Sequence, residues 1–425
     1  MRRLLLLAAT LAAARAEVHT LTLRQTADLA LRQSPDALLA RLEQKKAASQ
    51  VDLARDAFHP KIYAGSGLAY VYGFPQSIEG AAPSVVQARA VASIYDKRQK
   101  LLVAQARENV RGAGEAAGRK SERALAEAIG LHLEAERMQR MAVSARAIQE
   151  GSARMAAIVE ARVNEGREIR LELEKAKLEV IRAEQKIAEW DGAREHMEAL
   201  LAVALGFPEG DRAHPAGEER TMPEVPASLD AVVESAAQES REIRELESAI
   251  AASSLRVEAE RAARYPKLDL VAQYGLFAKF NNYEDYFRRF QRNNAQIGVS
   301  VQVPLWLGPA AKALVAQAEG DAAGARVELN RARGRIRVEA EQRLREVREA
   351  ETAQTVARRE LEVSRAEVSV ELARMEEGRT TMQSVERARI AEQERWAAYL
   401  AVRERAERAR YALLERTGGL VAALQ

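Results

Sequence analysis

Between Ile297 and Val303 the chain alternates strictly: Ile297, Val299, Val301 and Val303 are apolar, and Gly298, Ser300 and Gln302 between them are small or polar. A period of two puts an apolar stripe on one face of a strand and a polar stripe on the other. Pro304 ends the ladder. Gly308 and Pro309 then supply a turn and a helix-compatible first position, and from Ala310 onward the pattern is that of an Ala-rich helix. A half-polar strand therefore feeds directly into a long helix.

The same junction is predicted a second time upstream. A helical pattern from Leu23 to Phe58 closes at Pro60, and strands are expected at Ile62–Tyr72 and Ser84–Ile94 around a Gly/Pro-containing loop at Gly73–Pro83. A helix pattern starts near Tyr95 and runs to Phe207-Pro208, broken only by a turn at Asn164-Glu165-Gly166. After a Gly/Pro-rich stretch the programme repeats: helix Leu229–Arg264, Pro266, strand Leu268–Tyr274, a loop, the strand at Ile297, a long helix to a turn at Glu376-Glu377-Gly378, and a last helix to Thr417. Two words recur at one offset: Leu102-Val103-Ala104-Gln105-Ala106 as Leu314 to Ala318, and Ala161-Arg162-x-x-Glu165-Gly166 as Ala373 to Gly378, both displaced by 212 positions. A common offset for two distant words indicates an internal repeat. The expected organisation is a signal peptide over 1–16 and a first repeat over 17–205, with strands within 60–94 and a tip near Gly166. A linker over 206–226 and a second repeat over 227–425 follow, the latter with strands within 266–303 and a tip near Gly378.

Helix lengths add geometry. The unbroken arm from Asp96 to Glu165 is about 70 residues, on the order of 100 Å at the helical rise. The returning arm of about 39 residues, stacked end to end with the roughly 36 of Leu23–Phe58, reaches a similar length. Each repeat can therefore set one long helix beside two shorter ones. Apolar positions are sparse and often Ala, as around Leu361, Val368, Leu372 and Met375, which favours close coiled-coil packing. The fold class is mostly α, with a small β part.

Aromatic placement changes the picture for the strands. Fifteen of the twenty Phe, Tyr and Trp residues lie within 58–95 or 265–306, including Tyr70, Tyr72, Phe74, Tyr274, Phe277, Phe280, Tyr283, Tyr286, Phe287 and Phe290. Aromatics gathered beside strands of alternating polarity are the signature of outer-membrane barrel segments. Arg2 and Arg3, the apolar Leu4–Ala14 and the small-x-small Ala14-Arg15-Ala16 read as a secretory signal, with a mature start at Glu17. No later window is apolar enough for a spanning helix, so a membrane contact must be a closed barrel or a surface one. Four strands cannot close a barrel around a channel, and closure must come from several copies of the chain.

Charge and candidate chemistry mostly exclude. The 65 basic and 62 acidic residues are interspersed, giving a net charge of +3 and no nucleic-acid patch. Cysteine is absent, which removes disulfides, thiolate metal sites and a cysteine nucleophile. His19, His59, His132, His196 and His214 are scattered without metal-ligand spacing and read as surface residues. Gly112-x-Gly114 lies inside a helix pattern and reads as a packing or flexing point, and Glu341 with Arg345 as one of many solvated i to i+4 pairs. No catalytic, cofactor or metal site emerges.

Three stretches resemble the TolC family of outer-membrane efflux proteins. Val303-Pro304-Leu305-Trp306-Leu307-Gly308 is similar to the family's Pro-Leu-Phe-x-Gly-Gly, Tyr265-Pro266-Lys267-Leu268 opens a strand, and Glu377-Gly378-Arg379-Thr380-Thr381 is similar to its Gly-containing tip. In the first repeat, Ser93-Ile94-Tyr95-Asp96 departs from the expected Pro-Leu-Phe-Asp. The resemblance implies a homotrimer with a twelve-stranded barrel in outer-membrane lipid and an α-helical tunnel through the periplasm. Its tip would dock to a periplasmic adaptor of an inner-membrane pump or type I secretion transporter. Pro304, Trp306, Gly308 and Pro309 would mark the junction of barrel and tunnel, with Trp306 as an interfacial anchor. Family members often carry acids just past the second tip. The matching positions here are Ser384 and Arg387 with Glu386 between them, while Glu172 keeps an acid in the first repeat. Arg162, Arg167, Arg170, Arg374 and Arg379, beside Gly166 and Gly378, either meet an acidic adaptor surface or solvate helix ends. The alternative reading of the whole chain is a periplasmic adaptor or coiled-coil scaffold. One point stays open: the outward positions of the strand at 84–94 are Val85, Gln87, Arg89 and Val91 by the repeat offset, but Val86, Ala88, Ala90 and Ala92 by polarity.

Overall fold

The computed structural model describes residues 17–67, 84–218, 220–226, 228–277, 291 and 293–424. The expected signal peptide, the loop at 73–83, the end of the first strand at 68–72, and Tyr70, Tyr72, Phe74, Phe280, Tyr283, Tyr286, Phe287 and Phe290 lie outside these residues. The chain is mostly helical and contributes to two compact units, one of residues 1–40, 118–240 and 333–425, the other of 41–117 and 241–332.

The second unit holds the sheet. Strands β2 (Lys61–Gly67), β3 (Ser84–Asp96), β5 (Lys267–Phe277) and β6 (Asn293–Gln302) follow β1 (Val18–Leu21) and β4 (Arg212–Pro215) of the other unit in the numbering. They pair antiparallel in the order β2-β3-β5-β6. Strand β6 starts earlier than the alternation predicted and stops before Val303, where Pro304 removes a ladder donor. The sheet continues into helices packed on one another: α2 (Pro35–Arg55), the first turns of α3 (Lys97–Asn164), α6 (Arg241–Ala262) and the first turns of α7 (Gly308–Glu376). Asp96 caps α3 by accepting the Gln99 N–H at 2.9 Å. Small clusters of Val51, Val103 and Ala106, and of Val257, Ala318 and Ala322, bring these helices together. Gly112 is a packing point, since a Cβ there would lie 3.4 Å from Cβ of Ser248.

The first unit is built on α1 (Leu23–Gln33), the remainder of α3 and α7, α4 (Arg170–Ala204), α5 (Leu229–Glu239) and α8 (Met382–Thr417). Thr22 and Gln25 form a reciprocal capping box at the start of α1. The single helix expected over Leu23–Phe58 is two, because Ser34 leaves the helical region and its hydroxyl accepts the Ala37 N–H, while Pro35 takes the first position of α2. The helix expected over Leu229–Arg264 divides likewise, at Ser240 between α5 and α6. The stretch read as a linker contains β4, which pairs in parallel with β1. Both strands are short, and neither has an alternation long enough to announce it.

Ala and Leu dominate the core. Leu125, Ile129 and Leu133 of α3, Leu201 and Leu205 at the end of α4, and Leu414 and Leu420 near the C-terminus bury against α1 and β4. Along α7, Val347, Ala350, Ala357, Leu361, Ser364 and Val368 are buried at steps of three, four or seven residues, the spacing of a coiled-coil seam.

One histidine expected at the surface is instead in this core. His132 is buried and its Nδ1 shares a 2.9 Å hydrogen bond with the Thr26 hydroxyl. A helical residue's burial depends on which side of the seam it takes, and that is set by partners distant in sequence. Burial lowers the His132 pKa to about 4, helped by the nearby Arg220 charge and opposed by Glu136. The native state therefore refuses a proton that the unfolded chain accepts below its ordinary value of 6.5. Stability should be unaffected by this group above that pH and fall as pH drops from 6.5 toward 4, by about 2 kcal/mol between pH 7.5 and 5. Chemical denaturation at both pH values should give a shallower loss for His132→Gln than for the parent chain, and equal losses would exclude the assignment.

Candidate functional site

The sheet is two-faced, and its register decides which residues share a face. Directly opposed residues of an antiparallel pair point to the same side. Ile297 opposes Ala272, which opposes Ala90, which opposes Ile62. Val299, Leu270 and Ala92 form the next rung, and Ala295, Tyr274 and Ala88 the previous one. The register thus answers the open question about β3: Val86, Ala88, Ala90 and Ala92 lie with the apolar residues, as polarity indicated. Irregularities between Ser84 and Val86 and between Ser93 and Tyr95 fix that facing locally, so the repeat offset does not carry through the strand. The other face collects Gln87, Arg89, Ser93, Asp269, Gln273, Gln296, Gly298, Ser300 and Gln302.

The apolar face is open. Ile297 is 76% exposed, and Val299 and Val301 are also exposed. The junction continues this surface, with Leu305 95% and Trp306 85% exposed, while Pro304 is half-buried. Gly308 adopts φ +70° and Pro309 occupies the next position of α7, so the chain turns there as the sequence indicated. Both outer strands, β2 and β6, keep one side of their backbone unpaired within the sheet.

The two hairpin tips share one hydrogen-bond pattern. The Gly166 N–H donates to Val163 O and the Arg167 N–H to Arg162 O at 2.8 Å; Gly378 and Arg379 do the same to Met375 and Arg374. Both glycines have φ +73°, the left-handed conformation this helix ending requires. Arg167 pairs with Glu165, Arg374 with Glu371 and Arg379 with Glu377, and Arg170 is exposed. Arg162 reaches across to Gln383 Oε1 at 3.3 Å, and Glu172 takes Lys175 at 2.7 Å. Ser384 is half-buried and Arg387 exposed. Glu386 is different: it is 0% exposed and bound by Arg154 from α3 at 3.3 Å and by Arg389 at 2.8 Å. It is a packing carboxylate between α3 and α8, one helical face away from the residues it was grouped with.

The first unit arranges its long helices side by side in the order α4-α3-α8-α7. Arg146 joins α3 to Asp191 of α4, Arg154 joins α3 to α8, Arg395 of α8 pairs with Glu360 of α7, and Arg365 of α7 pairs with Glu392 of α8. The outer helices carry apolar stripes that nothing in the unit covers: Val356, Val363 and Val370 on α7, Leu171 and Leu178 on α4.

Sequence reasoning missed one cluster altogether. Arg220 is inserted between Glu136 of α3 at 2.6 Å and Glu407 of α8. Burial works against its charge, but the two carboxylates outweigh that and raise its pKa further. Nearby, burial raises the Tyr411 pKa to about 12, with Glu407 adding to the effect. A lone arginine in a Gly/Pro-rich stretch gives no sequence signal for such a role. Among the described residues no group of acids and histidines could hold a metal ion, and no helix is long and apolar enough to cross a membrane.

Residues 232–419 match the family described as outer membrane efflux protein. No curated protein matches the chain in sequence. The fold is similar to that of a membrane protein from Pseudomonas aeruginosa, with TM-score 0.75, 16% identity, and 95% of this chain and 92% of that chain covered. It is also similar to the CmeC outer membrane channel of Campylobacter jejuni (TM-score 0.75, 12% identity, 94% and 86% covered) and to the open state of the MtrE outer membrane channel of Neisseria gonorrhoeae (TM-score 0.74, 16% identity, 94% and 89% covered). The likeness of fold extends over the first half, which the family match does not reach. The family match and the likeness of fold agree with the resemblance drawn from the motifs.

The tip ion pairs yield an expected outcome. Removing both arginines, as Arg154→Met with Arg389→Met, strands a fully buried carboxylate and should cost about 3 kcal/mol. Glu386→Gln leaves two half-exposed arginines that can turn to water and should cost about 1 kcal/mol. Arg387→Ala should be neutral. Unfolding followed by helical circular dichroism checks the ranking, and equal effects for all three would show that Glu386 is not a packing carboxylate.

Proposed function

We propose that three copies of the chain close a twelve-stranded barrel in the outer membrane and a helical tunnel in the periplasm, forming a passive exit duct. The observation that carries this reading is the sheet: it is apolar and exposed on one face and unpaired on both edges. Water tolerates free peptide groups at an edge, but hydrocarbon does not, so a sheet with a lipid-compatible face must close on itself. Four strands per chain make closure by several copies necessary. The uncovered stripes on α4 and α7 support the same head-to-tail assembly, since each is an outer helix and the two can meet only between copies.

The element order helix-helix-strand-strand-helix-helix occurs twice, which supports a division into repeats at 17–205 and 227–425 joined by 206–226, after a signal peptide over 1–16. The energy for export then comes from an inner-membrane pump or type I secretion transporter, reached through a periplasmic adaptor. Arg167, Arg170, Arg374 and Arg379, around Gly166 and Gly378, are the proposed docking surface. Arg162, Glu172, Ser384 and Arg387 are assigned to that tip or to the constriction behind it. Pro304, Trp306, Gly308 and Pro309 form the junction, with Trp306 at the membrane interface.

Val299→Arg places a charge on the proposed lipid face at a cost of about 2–4 kcal/mol per chain near the bilayer centre. It should abolish the heat-sensitive oligomer seen on unboiled gels of outer-membrane fractions, while Ser300→Arg should leave it intact. Normal assembly of the Val299 variant would sink the barrel reading. Arg387→Asp should move single-channel ion selectivity toward cations, and unchanged selectivity would remove Arg387 from the constriction.

A further inference from the structure

The polar face of the sheet carries one unspent charge. The register places Tyr63, Arg89, Gln273 and Gln296 on a single rung across all four strands. The flanking rungs of this face hold Gly65, Gln87, Gly275 and Asn294 on one side and Lys61, Val91, Val271 and Gly298 on the other. The remaining charges nearby are occupied. Lys61 binds Asp56 at 2.7 Å, Lys267 binds Asp269 at 3.2 Å, and Asp96 accepts the Gln99 N–H. Arg89 is exposed and, among the described residues, has no carboxylate partner.

We propose that Arg89 makes the membrane-embedded part of the duct favour anionic over cationic solutes. The inference rests on the barrel reading, in which this face lines water. Each copy then adds one arginine to a ring whose other described members are uncharged, and the apolar wall concentrates its field in the lumen. An anion passing the rung meets attraction without desolvation, because the guanidinium keeps its own hydration. A cation meets the same field with opposite sign. At roughly 7 Å in water a unit charge is worth about one RT, so opposite charges separate by about five-fold at low salt and less as salt screens them.

The absence of cysteine gives a direct test. Gln273→Cys introduces a single thiol on the strand position opposite Arg89. In the assembled oligomer in lipid vesicles, its reaction with sulfonatoethyl methanethiosulfonate should outpace that with the trimethylammonioethyl reagent by about five-fold at low salt, relative to a free thiol. Adding Arg89→Gln should bring the ratio close to one. Comparing two reagents on one thiol cancels any change in the thiol's own reactivity. A ratio unmoved by Arg89→Gln overturns the proposal, as it would if a loop carboxylate neutralised this arginine, and leaves the barrel standing. A thiol at Gln273 closed to both reagents, with Ala272→Cys open to them, overturns the facing itself and the barrel reading with it.

Discussion

The peptide groups that β2 and β6 leave without partners govern what this chain can be. A backbone N–H or C=O facing water loses little by lacking a protein partner, and the same group facing hydrocarbon costs several kcal/mol. The sheet has an exposed face of Ile62, Ile297, Val299 and Val301 whose chemistry suits lipid, and it has two raw edges whose chemistry does not. The proposed closure between copies removes the conflict, because each edge then meets a counterpart. The helical layer repeats the situation in water, with α4 and α7 at its margins and side chains rather than peptide groups left over.

The helices are held by a different balance. Their seams are lined with alanine and single Val or Leu residues, so each turn buries little apolar area, and length replaces thickness. Arg–Glu contacts run along the exposed surfaces, where each contributes little. Among those withdrawn from water are Glu386 with Arg154 and Arg389, and Arg220 with Glu136 and Glu407. These fix the register of α3 against α8 at two heights. An alanine seam tolerates sliding, and a buried charge that has only one partner position does not.

Much of this was legible in the sequence, for reasons that can be named. The hairpin tips were found because Gly166 and Gly378 sit at helix ends that need a left-handed residue, a local requirement that the sequence states locally. The strand at Ile297 was found because its polarity alternates strictly between its two faces. Other features depended on distant partners. His132 was placed at the surface because a histidine among helical charges does not reveal that Thr26 will lie beside it. The break at Pro35 was overlooked because the apolar period continues through it, although Ser34-Pro35 is itself a helix-start signal. The facing of β3 needed the pairing with β5, since its bulges at Val85 and Ile94 disrupt the parity that sequence counting assumes. Glu386 was grouped with its neighbours in sequence, whereas a helix turns adjacent residues by about 100°.

The shared pattern at the tips also determines what they offer chemically. At each tip, the carbonyls of the ending helix are taken up by the N–H groups around Gly166 and Gly378. The returning helices α4 and α8 begin at Ile169 and Thr381 without a side-chain cap. Apart from the Glu172 and Ser384 N–H groups, which donate to the Ile169 and Thr381 carbonyls, their first N–H groups have no side-chain cap, and they lie beside Arg167, Arg170 and Arg379 at the positive end of each helix dipole. Such an end offers backbone donors beside arginines that already hold Glu165 and Glu377, so oxygen atoms set against it compete with acceptors the tip supplies itself.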